Sequence, residues 1–237
     1  MINGKKVLAV IPARGGSKGI KKKNLKLFMD LPLVAHVGKF VEKIDYIDKS
    51  IVSTDDIEIS KVANKYNLES PFMRPKNLSG DRIGDVPVLK HALIASEKIF
   101  KTQFDIILML QPTAPLRRKE DVIAVLEKIT TKDFNSVWTV TESDPKAHPL
   151  KQLELKEDQS ITLYDEAGLN IVARQQLKKL YFRNGDAYAF KRDPLLNNDN
   201  VLLPKTSYVI STGPSANIDT EEDLIWAEYL YRRKITK

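Results

Sequence analysis

The sequence predicts an α/β fold: a single domain built on a mostly parallel sheet flanked by helices, with a small excursion at 141–181. Short apolar runs alternate with amphipathic stretches, as expected of strands followed by covering helices. Unusual polar loops follow the runs that end near Ala13, Ser53 and Leu110, and in an open parallel sheet ligands gather outside the carboxyl ends of the strands. With 237 residues and 42% hydrophobic content, the chain can bury a full core.

Residues 6–13 read as a buried first strand, with Pro12 near its end, where a missing ladder donor is tolerated. Val34, Val37, Val41 and Ile44 recur at helical spacing. A second strand at 49–53 runs into Thr54, Asp55 and Asp56, and a short helix follows at 57–66. Leu89, Leu93, Ser96 and Phe100 mark one side of the next helix, and 106–110 is the most apolar strand. The alternation weakens from Thr141 to Tyr181, which sets off the excursion. Strand-like runs return at 187–190 and 207–210. A helix at 220–233 closes the pattern, opening on T-E-E-D, a capping-box form with Asp in place of Glu.

Absence of cysteine excludes disulfides and thiolate zinc clusters, and a reducing compartment fits best. The N-terminal run VLAVIPA is too short to span a membrane and is broken by proline and arginine, so the expectation is a cytoplasmic protein without membrane attachment. A net charge of +7 suits nucleic acid, an anionic surface or a small polyanion. Its placement favours the last, because Arg14, Lys18, Lys21, Lys22 and Lys23 cluster in one glycine-containing loop without the interleaved aromatics of a nucleic-acid stripe.

That loop, PARGGSKGIKKKN at 12–24, carries the strongest chemical signal. Consecutive glycines let backbone N–H groups approach a polyanion, and the cations neutralise phosphate charge. No Walker A pattern can be laid over it, and on glycine and lysine alone a basic surface turn would explain it equally well. None of His36, His91 and His148 is spaced to pair with a nucleophile.

IPARGGSKGIKKKNL closely resembles the N-terminal signature of the acylneuraminate cytidylyltransferases, the CMP-sialic acid synthetase family. The resemblance continues in order through STDD at 53–56, RP at 74–75, LQPTAPLR at 110–117, HPLK at 148–151, RQQL at 174–177, NG at 184–185 and NIDTEEDL at 217–224, nearly the whole chain. It implies a Rossmann-like nucleotidyltransferase domain that joins CMP, from CTP, to the anomeric hydroxyl of a nonulosonic acid, with loss of pyrophosphate. By the same resemblance Arg14, Gly15, Gly16, Ser17, Lys18, Lys23, Asn24, Arg74, Ser79 and Asp81 border CTP, with Arg14, Lys18 and Asp219 catalytic. Gln111, Lys151, Arg174, Asn184, Asp186 and Tyr188 would hold the sugar. Mg2+, or Mn2+ in its place, would sit near Asp219, and the excursion would pair two chains as a homodimer.

For several of these residues the bland reading stands beside the functional one: Asn24 and Ser79 as caps or turn closers, Lys151 as a surface ion-pair partner, Tyr188 as core. Two departures from the family pattern bear on the acceptor. Asn217 stands where many members carry a second aspartate, which weakens it as a metal ligand, and Asp186 follows NG where a small apolar residue is usual. N-acetylneuraminate, legionaminate and pseudaminate therefore all remain candidate acceptors. A sugar-1-phosphate nucleotidyltransferase and a basic nucleic-acid-binding protein are the alternatives.

Overall fold

The computed structural model describes residues 1–235, in two compact units: one of 1–139 with 184–235, and Val140–Arg183. In chain order the elements are β1 (Val7–Pro12), β2 (Leu27–Phe28), β3 (Leu31–Pro32), α1 (Leu33–Val41), β4 (Lys49–Ser53), α2 (Ile57–Lys65), α3 (Asp85–Phe100) and β5 (Ile106–Met109). They continue with α4 (Lys119–Thr131), β6 (Ser136–Glu142), β7 (Leu153–Leu155), β8 (Ile161–Leu163), β9 (Tyr181–Lys191), α5 (Arg192–Leu196), β10 (Thr206–Ile210) and α6 (Glu221–Ile235). Six strands form the main sheet in the order β10-β6-β9-β5-β1-β4. β1 runs parallel to β4 and β5, and β9 is antiparallel to β5, so the sheet is mixed.

Period-two alternation assigns β1 to both faces of the sheet. Val7, Ala9 and Ile11 join a core cluster with Val34, Val37 and Val41 of α1, Ile59 and Ala63 of α2, and Val122, Val125, Leu126 and Ile129 of α4. Leu8 and Val10 face the other way, into a cluster with Val86, Leu89, Ala92 and Leu93 of α3 and Leu195 of α5. Burial on both faces is why these strands read as unbroken apolar runs, and each fully buried aliphatic side chain contributes about 1.5–3 kcal/mol. A third cluster, with Ile20, Phe28, Leu33, Leu116, Ile218, Leu224 and Ala227, seats α6.

The sequence-based expectation lacked the short strands β2, β3, β7 and β8, the short helix α5, and two longer elements, α4 and β6. α4 carries its buried residues at helical spacing, and β6 (SVWTVTE) buries Ser136, Val137 and Thr139. The reciprocal cap expected at the last helix is present: the Asp223 amide donates to Thr220 Oγ1 at 3.2 Å, and the Thr220 amide donates to Asp223 Oδ2 at 2.9 Å.

The Val140–Arg183 unit has a spare hydrogen-bonded framework of its own. β7 and β8 pair antiparallel, Leu153 opposite Leu163 and Leu155 opposite Ile161, which puts four apolar side chains on one face of the ribbon. Single turns capped by Asp144 and Asp165 make up much of the remainder.

Candidate active site

The parallel register brings Pro12 beside Ser53 and Val10 beside Met109, so the loops that follow β1, β4 and β5 leave the same edge of the sheet. The tetrad after β4 anchors the glycine-containing loop. Ser53 Oγ accepts from Arg74 Nε at 3.1 Å, and Thr54 Oγ1 accepts from the Asp56 amide at 3.1 Å. Asp55 Oδ1 accepts from the Gly15 amide at 2.9 Å, and Asp56 caps α2 through the Glu58 and Ile59 amides. Asn24 is buried, and its Nδ2 donates to the Arg14 carbonyl at 2.9 Å, closing the loop on itself.

Beyond this loop lies a cleft of 590 Å3 lined by Arg14, Ser17, Lys18, Lys23, Asn24, Arg74, Gln111, Asn217 and Asp219, nine of the residues singled out from sequence. Gly19, Asp85, Thr113 and Thr220 also line it, and sequence reasoning did not single them out. Gly19 is required by close approach: a Cβ there would overlap the Asp219 carbonyl. The signal for it was the third glycine of the loop.

The cleft cations are held by carboxylates. Arg14 Nη1 and Lys18 Nζ reach Asp81 at 2.6 and 2.7 Å, and Lys23 Nζ reaches Asp219 Oδ1 at 2.7 Å. Those two cations hold the Asp81 carboxyl below the ordinary aspartate range, with the Lys18 hydrogen bond the larger cause. Asn217 Nδ2 donates to Asp219 Oδ2 at 3.3 Å. Arg74 is fixed differently, its guanidinium bonded to Ser53 and its pKa lowered by burial. Ser79 Oγ donates to the Pro75 carbonyl at 3.1 Å, which closes a turn. Neither Ser79 nor Asp81 is a lining residue, nor are Gly15 and Gly16.

Behind Gln111 a buried polar cluster joins two loops. Arg117 donates from Nε to the Asp186 carbonyl at 2.9 Å and from Nη2 to the Gln111 carbonyl. Burial lowers its pKa to about 10, opposed by the nearby Asp186 charge. Asn184 Oδ1 accepts from Thr139 Oγ1 at 2.7 Å, and its Nδ2 donates to Ser211 Oγ at 2.7 Å. Burial raises the Asp186 carboxyl to about 6 despite Arg117; Oδ2 accepts from Ser211 at 3.3 Å while the buried Oδ1 has no partner. Gly185, at φ +83°, abuts Gln111: a Cβ would lie 2.7 Å from Gln111 Oε1. Tyr188 is buried in the core, and its hydroxyl accepts from the Gly185 amide at 2.6 Å. Asn184, Asp186 and Tyr188 thus stand behind the cleft wall and are not among its lining residues.

Lys151 and Arg174 belong to the Val140–Arg183 unit. Arg174 lines a recess of 470 Å3 there with His148, Lys178 and Lys179, and Lys151 ends a short turn. The histidines are engaged elsewhere: His36 donates from Nε2 to the Phe28 carbonyl at 2.6 Å, His91 packs edge-on to Phe72, and His148 accepts from the Leu150 amide.

The family model described as cytidylyltransferase matches residues 8–227. The chain belongs to that family. This cytidylyltransferase is 33% identical over 229 residues to a CMP-N,N'-diacetyllegionaminic acid synthase of Campylobacter jejuni, covering 96% of each chain. It is 32% identical over 232 residues to a pseudaminic acid cytidylyltransferase of the same species, covering 96% of this chain and 97% of that one. In fold the cytidylyltransferase resembles a CMP:2-keto-3-deoxy-manno-octonic acid synthetase complexed with CTP, at TM-score 0.70 and 19% identity, over 97% of this chain and 99% of that one. Among the described residues no helix is long and apolar enough to cross a membrane.

Proposed function

We propose that this cytidylyltransferase transfers CMP from CTP to the anomeric hydroxyl of a nonulosonic acid and releases pyrophosphate. The observation that carries the reading is the convergence of Arg14, Lys18 and Lys23 with Gln111 and Asp219 on one cleft at the sheet edge of a chain that the cytidylyltransferase model matches over 8–227. The anomeric oxygen forms a bond to the α-phosphorus as the bond to the β-phosphate oxygen breaks in line, and pyrophosphate departs. Catalysis of such a displacement rests on positioning and on charge placed where the phosphates develop it. Arg14 and Lys18 exchange the Asp81 carboxylate for phosphate oxygens, and Lys23 does the same as it leaves Asp219. Gln111, a neutral amide beside Gly185, both donates to and accepts from sugar hydroxyls.

Among the described residues no group of three or more His, Cys, Asp or Glu side chains is placed to hold a metal ion. The donor set of Asp219 and Asn217, adjacent on the cleft wall, fits Mg2+ brought in with the nucleotide, since that ion keeps several waters and takes phosphate oxygens. Bound there, Mg2+ or Mn2+ would neutralise triphosphate charge. Asp219 and Asp85 are the lining carboxylates able to receive the hydroxyl proton through water.

The legionaminate and pseudaminate relatives make those two acids the first acceptors to try, with N-acetylneuraminate third. Asp186 supplies no contact to choose among them from the cleft side, because it is buried with Ser211 and Arg117. We place the enzyme in the cytoplasm, where CTP is made, and propose that it acts as a homodimer paired through the Val140–Arg183 unit. The exposed apolar face of Leu153, Leu155 and Ile161 supports that pairing, since a two-stranded ribbon is marginal alone. Incubation with CTP, Mg2+ and each of the three acids should release pyrophosphate and yield a CMP-sugar of the corresponding mass. A diphosphate-linked product from a sugar phosphate, or silence with all three acids, would overturn the reading.

A further inference from the structure

The outer face of α6 carries an apolar patch that the cleft does not use. Ile225, Trp226 and Tyr229 are 69%, 54% and 48% exposed, and with Glu222 and Arg233 they line a shallow recess of 510 Å3. Trp226 and Tyr229 stack with ring centres 5.3 Å apart and planes 24° from parallel, and the Arg233 guanidinium lies 5.8 Å from the Tyr229 ring. The opposite face of the same helix is committed to the third core cluster through Leu224 and Ala227. An exposed helix thus presents aromatic anchors bracketed by an acid at one end and a base at the other, the composition of an interface core rather than of a solvated face.

The pattern is self-complementary. In an antiparallel helix pair related by a two-fold axis, residues whose numbers share one sum lie opposite each other. Glu222 with Arg233 and Trp226 with Tyr229 share the same sum, so a single register sets the acid of each copy against the base of the other and each indole against a phenol. The acidic first turn, Glu221, Glu222 and Asp223, then lies along Arg232 and Arg233 of the other copy, and the two helix dipoles oppose. We propose that α6 of this protein pairs antiparallel with α6 of a second copy in this register. A membrane surface suits the patch less well, because the acidic first turn would face anionic headgroups.

One helix pair buries less area than a standard stable interface, so the association is concentration-dependent. The test is mass by light scattering over a dilution series of the full chain, with folding followed by circular dichroism. The wild type should reach at least twice the mass of a Trp226→Glu/Tyr229→Glu variant at matched high concentration, whether or not chains also pair through the Val140–Arg183 unit. Glu222→Arg alone and Arg233→Glu alone should each lower the mass, since like charges then meet. Their combination should restore it. The proposal fails if the double aromatic variant keeps the wild-type mass, as it would if a foreign protein or a lipid covered the patch. It also fails if the combined charge swap stays dissociated while folded. Because the readout is mass alone, the outcome stands apart from whether the cleft transfers CMP.

Discussion

Arg14 and Arg117 follow neighbouring strands of one sheet, yet they face opposite demands. Arg14 lies on the cleft with its guanidinium on the exposed Asp81 carboxylate, a pairing that water and salt weaken and that a phosphate can replace. Arg117 is buried, and its Nε and Nη2 donate to two backbone carbonyls, those of Asp186 and Gln111. The same side chain is therefore an exchangeable ligand in one place and a tie between two loops in the other. The difference comes from solvent access, because a buried donor that loses its partner has no water to turn to.

The sharpest way to break that comparison is to remove one cation from each region. Lys23→Met should lower kcat/KM with CTP by roughly 10²–10³-fold while moving the urea midpoint little, since Lys23 is paired with a largely exposed Asp219. Arg117→Met should do the reverse in kind, costing about 2–5 kcal/mol of stability through orphaned carbonyls and an unopposed carboxyl. Loss of stability in the Lys23 variant, or a normal urea midpoint in the Arg117 variant, would show that the two regions are not divided as described.

A second probe uses pH. Because burial raises the folded Asp186 to about 6, above its unfolded value, the folded state binds the extra proton and stability falls as pH rises from about 4 through 6. The penalty on ionisation is on the order of 3 kcal/mol. Asp186→Asn removes this titration, so its urea midpoint should gain on the parent between pH 4 and pH 7. Parallel midpoints across that range would mean that the carboxyl is not desolvated.

The smallest effect is expected at the exposed pairings. Asp81→Asn removes the carboxylate that competes with phosphate for Arg14 and Lys18, and should lower the KM for CTP roughly twofold to fivefold, more at low salt. An increase in KM would assign Asp81 to CTP binding, the role that the family resemblance implies.

Much of the scaffold was legible in the sequence. The run at 49–53 is β4 to the residue, and the T-E-E-D signature is a working cap, because both depend on interactions among neighbours in the chain. β9 was readable only in part: its buried centre at 187–190 is apolar, while its beginning, YFRN, is exposed or polar and takes its strand form from the ladder. Within the site, the basic loop announced itself through glycine and charge. Arg117 and Arg118 are adjacent and identical in type, and nothing local says that one is buried beneath the cleft while the other pairs with exposed Glu120.

The places of the main strands on the apolar runs, the basic, glycine-containing character of the first loop and the cap on the last helix were determined by the sequence itself, since periodicity, composition and hydrogen bonds a few residues apart are local properties. Tertiary structure alone decided that Asp219 meets Lys23 across 196 positions, that Gly185 abuts Gln111, and that Asp186 turns into the interior. Those outcomes depend on which loops share a sheet edge and on what each polar group finds once water is excluded, and both are properties of the assembled fold.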